Sequence, residues 1–275
     1  MSKAGFREYM NVVTPKNSGT SASYVMAISI LDEIFKKQDV LGLNGTSLFS
    51  IDDEALLLKI REFVKDQEKL MKQGEKSIFV YGNPNQTSYP KKGFCSAAVG
   101  GLIKYICNEK KIVVADAKVQ TQNTGKGVST ILIKHFHLDK VGKDKVSAIK
   151  MRLGQSYFRK MVLENYQNKC CVTGLNVPIV LRASHIVEWA KDKENRMNPE
   201  NGLCLSATYD AAFDRHLISF DDEFRMIISK EIKEYYTAQV TRDYFEAFEG
   251  KKILMPVKYA PSKKLLAKHR DLLVG

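Results

Sequence analysis

The chain has 275 residues, of which 44% are hydrophobic and 27% charged, and its formal net charge is +12. This length suits one large or two ordinary domains, and the composition supports a folded core. No apolar run reaches transmembrane length, and the first residues lack the apolar centre of a secretory signal. We therefore expect a soluble cytoplasmic protein with no membrane partner.

The five cysteines are thinly spread, and none forms a CxxC pair. This spacing argues against a disulfide framework and against a four-thiolate zinc site. We interpret the cysteines as small buried hydrophobic residues.

The excess positive charge is concentrated in the middle of the chain. Residues 101–169 carry 14 basic and 5 acidic side chains, which accounts for +9 of the net +12. A concentrated basic stretch is typical of proteins that bind a phosphate backbone. The alternative is a solvated, lysine-rich connector.

Residues 1–120 predict a mainly helical domain, which we interpret as a recognition or sensor domain. Apolar residues at helical spacing follow the polar residues 17–23, and a second amphipathic helix follows Asp53 and stops at Gly74. Residues 77–82 (SIFVYG) predict a short strand. A third helix is expected to begin near Ser96.

Residues 121–150 are dense in lysine and glycine and predict a basic linker. Just before it, residues 111–122 (KIVVADAKVQTQ) predict extended chain. ILIKHFHL at 131–138 alternates apolar and polar residues and predicts a strand. His135 and His137 would then lie on one strand face, where exposure is a simpler interpretation than a metal site.

Residues 151–275 predict a second domain, so that the fold class is α+β. A helix is expected around Phe158 and Tyr166. Two short β-prone runs follow, KCCVT at 169–173 and IVLRASHI at 179–186, separated by a turn. GLCLS at 202–206 predicts another strand, and a helix follows it.

The residue types in this second domain suit phosphodiester hydrolysis. That reaction needs a general base and a cation that stabilises the developing negative charge. A histidine such as His185 suits the first task because its pKa lies near neutrality. Asp210 and Asp214 are four residues apart, so on a helix both project from one face, and carboxylates suit Mg²⁺.

At this point the sequence resembles a known family. CCVTG, LRASHIVEW and NPENGLCLSATYDAAFDRHLISFD together resemble an HNH endonuclease module of the ββα-metal fold, closest to the restriction-type bacterial branch. RLGQSYFRKMVLENYQNKC resembles the helix that leads into such modules. The resemblance covers about residues 150–230 and implies a C-terminal ββα-metal (HNH) nuclease domain.

Carried over by position, the resemblance implies a role for each motif residue. His185 stands where the family has its general base, and Asn201 where an asparagine holds the base-bearing loop. Asp210 and Asp214 stand where one divalent ion, Mg²⁺ or alternatively Mn²⁺, would be bound. The wider family often has another ligand at the position of Ser184, so this residue departs from the pattern.

Each role has an alternative. Asp210 could cap its helix, and Asp214 could pair with Arg215 or Arg182. His216 stands where we would expect glycine in close relatives. The conformation of the turn there is therefore left open, and His216 could instead contact a phosphate.

Five basic residues are candidates for nucleic-acid binding. Arg152, Arg159 and Lys160 lie on the predicted helix, and Arg182 and Arg196 flank His185. Arginines in these places could clamp phosphates, although exposed arginines need no such role.

The leading hypothesis is a metal-dependent DNA endonuclease of restriction or phage-defence type that acts on double-stranded DNA. The alternatives are a DNA-binding protein with a degenerate nuclease site and a nuclease activated by a signal. A double-strand cut by a chain with one active site would require a homodimer, which is an inference from the symmetry of duplex DNA alone.

Overall fold

The computed structural model of the protein describes residues 2–15, 17–139 and 145–274. Contacts between Cα atoms divide the chain into two compact units, Met1–Asp116 and Ala117–Gly275. In the described part of the chain, every helix is too short or too polar to cross a membrane. The helices and strands are α1 (Lys3–Val13), α2 (Thr20–Lys37), α3 (Glu54–Lys72), α4 (Ser88–Lys91), α5 (Phe94–Gln120), α6 (Gly125–His135), α7 (Lys145–Asn165), β1 (Leu181–His185), β2 (Gly202–Ser206), α8 (Ala207–Asp214), β3 (Ile218–Phe220), β4 (Met226–Ile228), α9 (Lys230–Lys233), α10 (Gln239–Tyr244) and α11 (Lys263–Arg270).

The first unit is helical, and its helices follow the predicted apolar spacing. In α3 the Asp53 carboxylate accepts hydrogen bonds from the first backbone N–H groups and caps the helix. Leu57, Ile60 and Val64 recur at helical spacing and are fully buried. The predicted strand at 77–82 is wrong, because Ile78–Tyr81 forms a 3₁₀ turn.

The extended segment predicted at 111–122 is also wrong, because α5 continues to Gln120. Its β-branched residues Val113 and Val114 lie on the exposed side, while Ala115 is fully buried. Each β-branched residue lowers the stability of a helix by only about half a kcal/mol. The backbone hydrogen bonds of the continuing helix outweigh this loss.

The predicted strand at 131–138 is helix α6 up to His135, within the interval predicted as a basic linker. The Thr124 hydroxyl accepts a hydrogen bond from Gly127 N and starts the helix. Val128 and Leu132, four residues apart, are both fully buried, so the helical period prevails over the local alternation. His135 and His137 therefore do not share a strand face. The same interval includes residues 140–144, which lie outside the described residues.

In the second unit, β1 pairs antiparallel with β2, and α8 follows β2 directly. The strand predicted at 169–173 is instead a turn, in which Gly174 N donates to Cys170 O at 2.8 Å. A second antiparallel pair, β3–β4, comes after α8. The two strands and α8 form the ββα arrangement expected from the motif, and small sheets among helices agree with an α+β class.

Asn165 at the end of α7 fastens the C-terminal segment to this unit. Its side chain donates to Tyr259 O at 3.0 Å and accepts from Lys258 N at 3.0 Å and Tyr259 N at 3.2 Å. α7 is in turn packed against β1 and β2. The helix that the sequence predicts before the motif thus supports the ββα element.

Candidate active site

The end of the β1–β2 hairpin lies very close to α7. His185, the last residue of β1, is paired with Gly202, the first residue of β2. A Cβ atom at Gly202 would lie 2.5 Å from Val162 Cγ2 and 3.0 Å from Phe158 Cζ. Both neighbours belong to α7, so only glycine permits this close approach.

The imidazole of His185 is held on two sides. Its ring stacks on Phe158 with centroids 3.9 Å apart and meets Trp189 edge to face at 5.6 Å. Its Nε2 lies 3.0 Å from the carbonyl oxygen of Arg196. A carbonyl can only accept, so Nε2 carries the proton of the neutral ring and Nδ1 has the free lone pair.

Burial lowers the pKa of His185 to about 4, although its hydrogen bond to the Arg196 carbonyl acts in the opposite direction. The aromatic rings that enclose the imidazole disfavour its charged form. The resting ring is therefore neutral at physiological pH.

Asn201 closes the loop that follows His185. It is fully buried. Its amide nitrogen donates to Val187 O at 3.0 Å and to Asn195 O at 3.1 Å, and its Oδ1 accepts from Val187 N at 2.8 Å. All three partners are backbone groups of the loop, so Asn201 is a positioning residue.

Three carboxylates line the same cleft as His185. Asp210 and Asp214 are one turn apart on α8, and Glu188 belongs to the loop that Asn201 holds. Desolvation, followed by repulsion from Asp210 and Glu188, raises the pKa of Asp214 above its usual value. Glu188 is paired with Lys191 at 2.5 Å.

Ser184 is buried and donates a hydrogen bond from its hydroxyl to Asp210 Oδ1. Ser184, at which the chain departs from the family pattern, therefore orients Asp210, one of the two predicted metal ligands. Asp210 lies in the first turn of α8.

A cleft of about 440 Å³ contains these groups. It brings together the predicted base, both predicted metal ligands and two of the predicted arginines. Its lining residues are Gln155, Phe158, Arg159, Arg182, Ala183, Ser184, His185, Glu188, Trp189, Asp210 and Asp214.

The other predicted basic residues lie outside the cleft lining. Arg196 is buried, and its guanidinium lies 5.4 Å from the Trp189 ring centroid in a cation–π contact. Its role in binding phosphate stays a prediction. Lys160 lies 4.0 Å from Glu164 on the exposed side of α7. Arg152 is also on α7, about one turn before Gln155.

His216 occupies a backbone conformation that favours glycine, with φ of 55°. This agrees with the glycine expected there in close relatives. Its Nδ1 is hydrogen-bonded to Nε2 of His269 at 3.1 Å, which ties the end of α8 to α11. Arg215 donates to Ala211 O at 2.9 Å.

Sequence reasoning missed the parts that Glu188 and Phe158 have in this cleft. Phe158 was predicted only as a helix residue, since its stacking partner comes 27 positions later in the chain. Glu188 follows His185 by three residues but shares no ligand spacing with the aspartates. Glu188 is an acidic residue just beyond the end of β1, and this position is the signal that could have placed it in the site.

The carboxylates of the cleft fit a hard divalent ion only if water molecules supply its other ligands. In the described residues, no group of three or more His, Cys, Asp or Glu side chains is arranged to hold a metal ion. Asp210 and Asp214 do supply two carboxylates in one cleft, and the pKa of Asp214 is raised first by desolvation and then by repulsion from Asp210, which a cation would offset. Mg²⁺ commonly binds through one or two carboxylates and several waters, so the residues present fit such a site.

A family model described as HNH endonuclease matches residues 170–221. The matched segment begins at the turn before β1 and contains the β1–β2 hairpin, α8 and β3. No curated protein matches the chain. The ββα segment that carries His185, Asn201, Asp210 and Asp214 is thus similar to HNH endonucleases, which are nucleases that act on nucleic acid.

Proposed function

We propose that this protein is a metal-dependent DNA endonuclease in which His185 is the general base. The observation that carries the proposal is a neutral imidazole with a free Nδ1 lone pair, in one cleft with two aspartates and two arginines. Proton acceptor, cation ligands and phosphate contacts are the three parts that phosphodiester hydrolysis requires.

His185 would take the proton of the attacking water at Nδ1. The Arg196 carbonyl accepts from Nε2 and stabilises the imidazolium that results. A pKa of about 4 makes the resting imidazole a weak base. The negative charge of a bound phosphodiester would raise that pKa, because a nearby opposite charge favours the protonated form.

Arg159 and Arg182 would bind the phosphate groups of the substrate, since their guanidinium groups line the same cleft. Asp210 and Asp214 would hold one divalent ion, Mg²⁺ or Mn²⁺, with Ser184 orienting Asp210. The ion would supply positive charge to the phosphorane and the leaving oxygen.

We infer double-stranded DNA as substrate and a restriction or phage-defence role from the resemblance of residues 150–230 to restriction-type proteins. A double-strand cut would need two copies of the chain, one for each strand. The helical unit at Met1–Asp116 would then recognise the target or a signal.

Plasmid nicking tests the proposal. His185→Ala should reduce nicking by about 10²- to 10⁴-fold, the usual contribution of a general base, while DNA binding survives. His137→Ala is the matched control, because His137 is exposed and outside the cleft. Nicking that His185→Ala leaves unchanged would overturn the assignment.

A second function, DNA binding without cleavage, is favoured by one observation. The described residues lack a three-ligand metal group, and Ser184 stands where the wider family often has a ligand. Wild-type protein that binds plasmid but never nicks it, with Mg²⁺, Mn²⁺ or EDTA, would establish this alternative.

A further inference from the structure

An exposed apolar turn precedes β1 at the edge of the cleft. In residues 175–180, four large apolar side chains are exposed, and Ile179 has an exposed fraction of 82%. This is the highest value for a large hydrophobic side chain in the described part of the chain. Clusters of exposed apolar side chains commonly mark binding surfaces. The four are Leu175, Val177, Ile179 and Val180.

The turn is held in place by the two cleft arginines. Arg159 donates to Pro178 O at 3.1 Å and to Leu181 O at 2.8 Å. Arg182 donates to Ile179 O at 3.4 Å and to Leu181 O at 3.0 Å. Pro178 further restricts the backbone of the 3₁₀ helix Pro178–Val180. The apolar side chains are therefore presented in a fixed position.

The surroundings of the turn favour nucleic acid over an apolar protein partner. Arg159 and Arg182 donate to carbonyl oxygens of the turn, and both residues line the cleft in which the phosphate would bind. Duplex DNA offers phosphates and stacked bases side by side, so one surface can contact both. Isoleucine and proline are among the residues that proteins insert between base pairs to unstack them.

We propose that the turn at residues 175–180, led by Ile179, wedges against a base step of the bound duplex and opens it. This inference rests on the proposed function, since it takes the cleft as the site of the scissile phosphate. If the turn opens a base step, duplexes in which that step is easily unstacked are the better substrates. Flexible pyrimidine–purine steps and mismatches are then favoured over stiff sequences.

The chain between Ile179 and His185 limits the distance between the wedge and the cut. Ile179 precedes His185 by six residues, which span at most about 20 Å at the usual rise of a strand. Base pairs are stacked about 3.4 Å apart, so the opened step lies within about six base pairs of the scissile phosphate.

Fluorescence of 2-aminopurine, which rises when the base is unstacked, tests the wedge independently of cleavage. The probe is placed in turn at each step of a duplex that the protein binds, and protein is added in EDTA. Wild-type protein should raise the signal at one step, and Ile179→Ser should remove that rise. Val240→Ser is the matched control, because Val240 is 63% exposed in the same unit but outside the cleft.

Cleavage gives the second measurement. Wild-type protein should nick a duplex with a mismatch at that step faster than the matched duplex, and Ile179→Ser should lose about tenfold of that preference, the effect of one step that is costly to unstack.

The outcomes separate this inference from the proposed function. A rise in fluorescence without any nicking supports the wedge and contradicts the nuclease. Nicking with no fluorescence change at any step overturns the wedge alone, as does Ile179→Ser that behaves like Val240→Ser. If Ile179→Ser only converts a dimer to a monomer in gel filtration, the turn is a protein interface and the wedge is overturned.

Discussion

Replacement of Asn201 by aspartate tests whether one side chain holds the loop beside the base. The introduced carboxylate can still accept from Val187 N, but it cannot donate to Val187 O or Asn195 O. It also places an oxygen about 3 Å from two carbonyl oxygens, as judged from the present hydrogen-bond lengths. Two lost hydrogen bonds in a partly buried loop should lower the free energy of unfolding by about 3 kcal/mol.

The same substitution should slow nicking by about 100-fold, because the loop also carries the Arg196 carbonyl that orients His185. Urea unfolding can be followed through Trp189, the single tryptophan, which packs against His185. Asn168→Asp is the matched control, since Asn168 is exposed in the same unit. If Asn201→Asp unfolds at the same urea concentration as the control and nicks at the wild-type rate, the positioning role is refuted.

Four further predictions concern the pH dependence of nicking, the pH dependence of stability, the metal and the packing. The kcat/KM for nicking, which reports the free enzyme, should not fall between pH 8 and pH 6 through protonation of His185, because a pKa of about 4 keeps the imidazole neutral before DNA binds; an acid limb of kcat/KM near pH 6.5 would contradict this. Stability to urea should fall as the pH drops from 6.5 towards 4, because the unfolded state then binds protons that His185 and His269 do not. Asp210→Asn should weaken Mn²⁺ binding, as measured by calorimetry. It should also lower the pKa of Asp214 in the metal-free protein, as measured by NMR of the carboxyl group, because the repulsion from Asp210 is removed. If neither value changes, the two aspartates do not act together. Gly202→Ala should cost about 1–3 kcal/mol of stability by thermal melting, and adding Val162→Ala should recover part of it if the 2.5 Å contact is the cause.

The order and spacing of the motif predicted the parts of the site that are local in sequence. Asp210 and Asp214 share a cleft because they are one turn apart on a helix that begins directly after β2. Asn201 is hydrogen-bonded to the loop that follows His185, and its role in nicking stays a prediction that the aspartate variant tests. These features depend on residues that are close together in the sequence, so a sequence pattern can predict them.

Other features depend on contacts between distant residues, and there the predictions were wrong or missing. The alternation in 131–138 indicated a strand, yet capping by Thr124 and burial of Val128 and Leu132 produce α6. The fold of the loop also puts the Arg196 guanidinium over Trp189, and the contact of Arg196 with phosphate stays a prediction. The burial of Val128 and Leu132 and the packing of Arg196 depend on the tertiary structure, which the local pattern of residues does not show.

Phe158 and Arg159 are consecutive residues of α7, and this adjacency links two properties of the site. Phe158 excludes water from the imidazole and so keeps its proton affinity low, whereas Arg159 fixes the turn before β1 and lines the cleft. A shift of α7 along its axis would rehydrate the imidazole and loosen the arginine at once. Under the proposed function, the proton affinity of the base and the contact with phosphate would then change together, because both depend on the position of one helix.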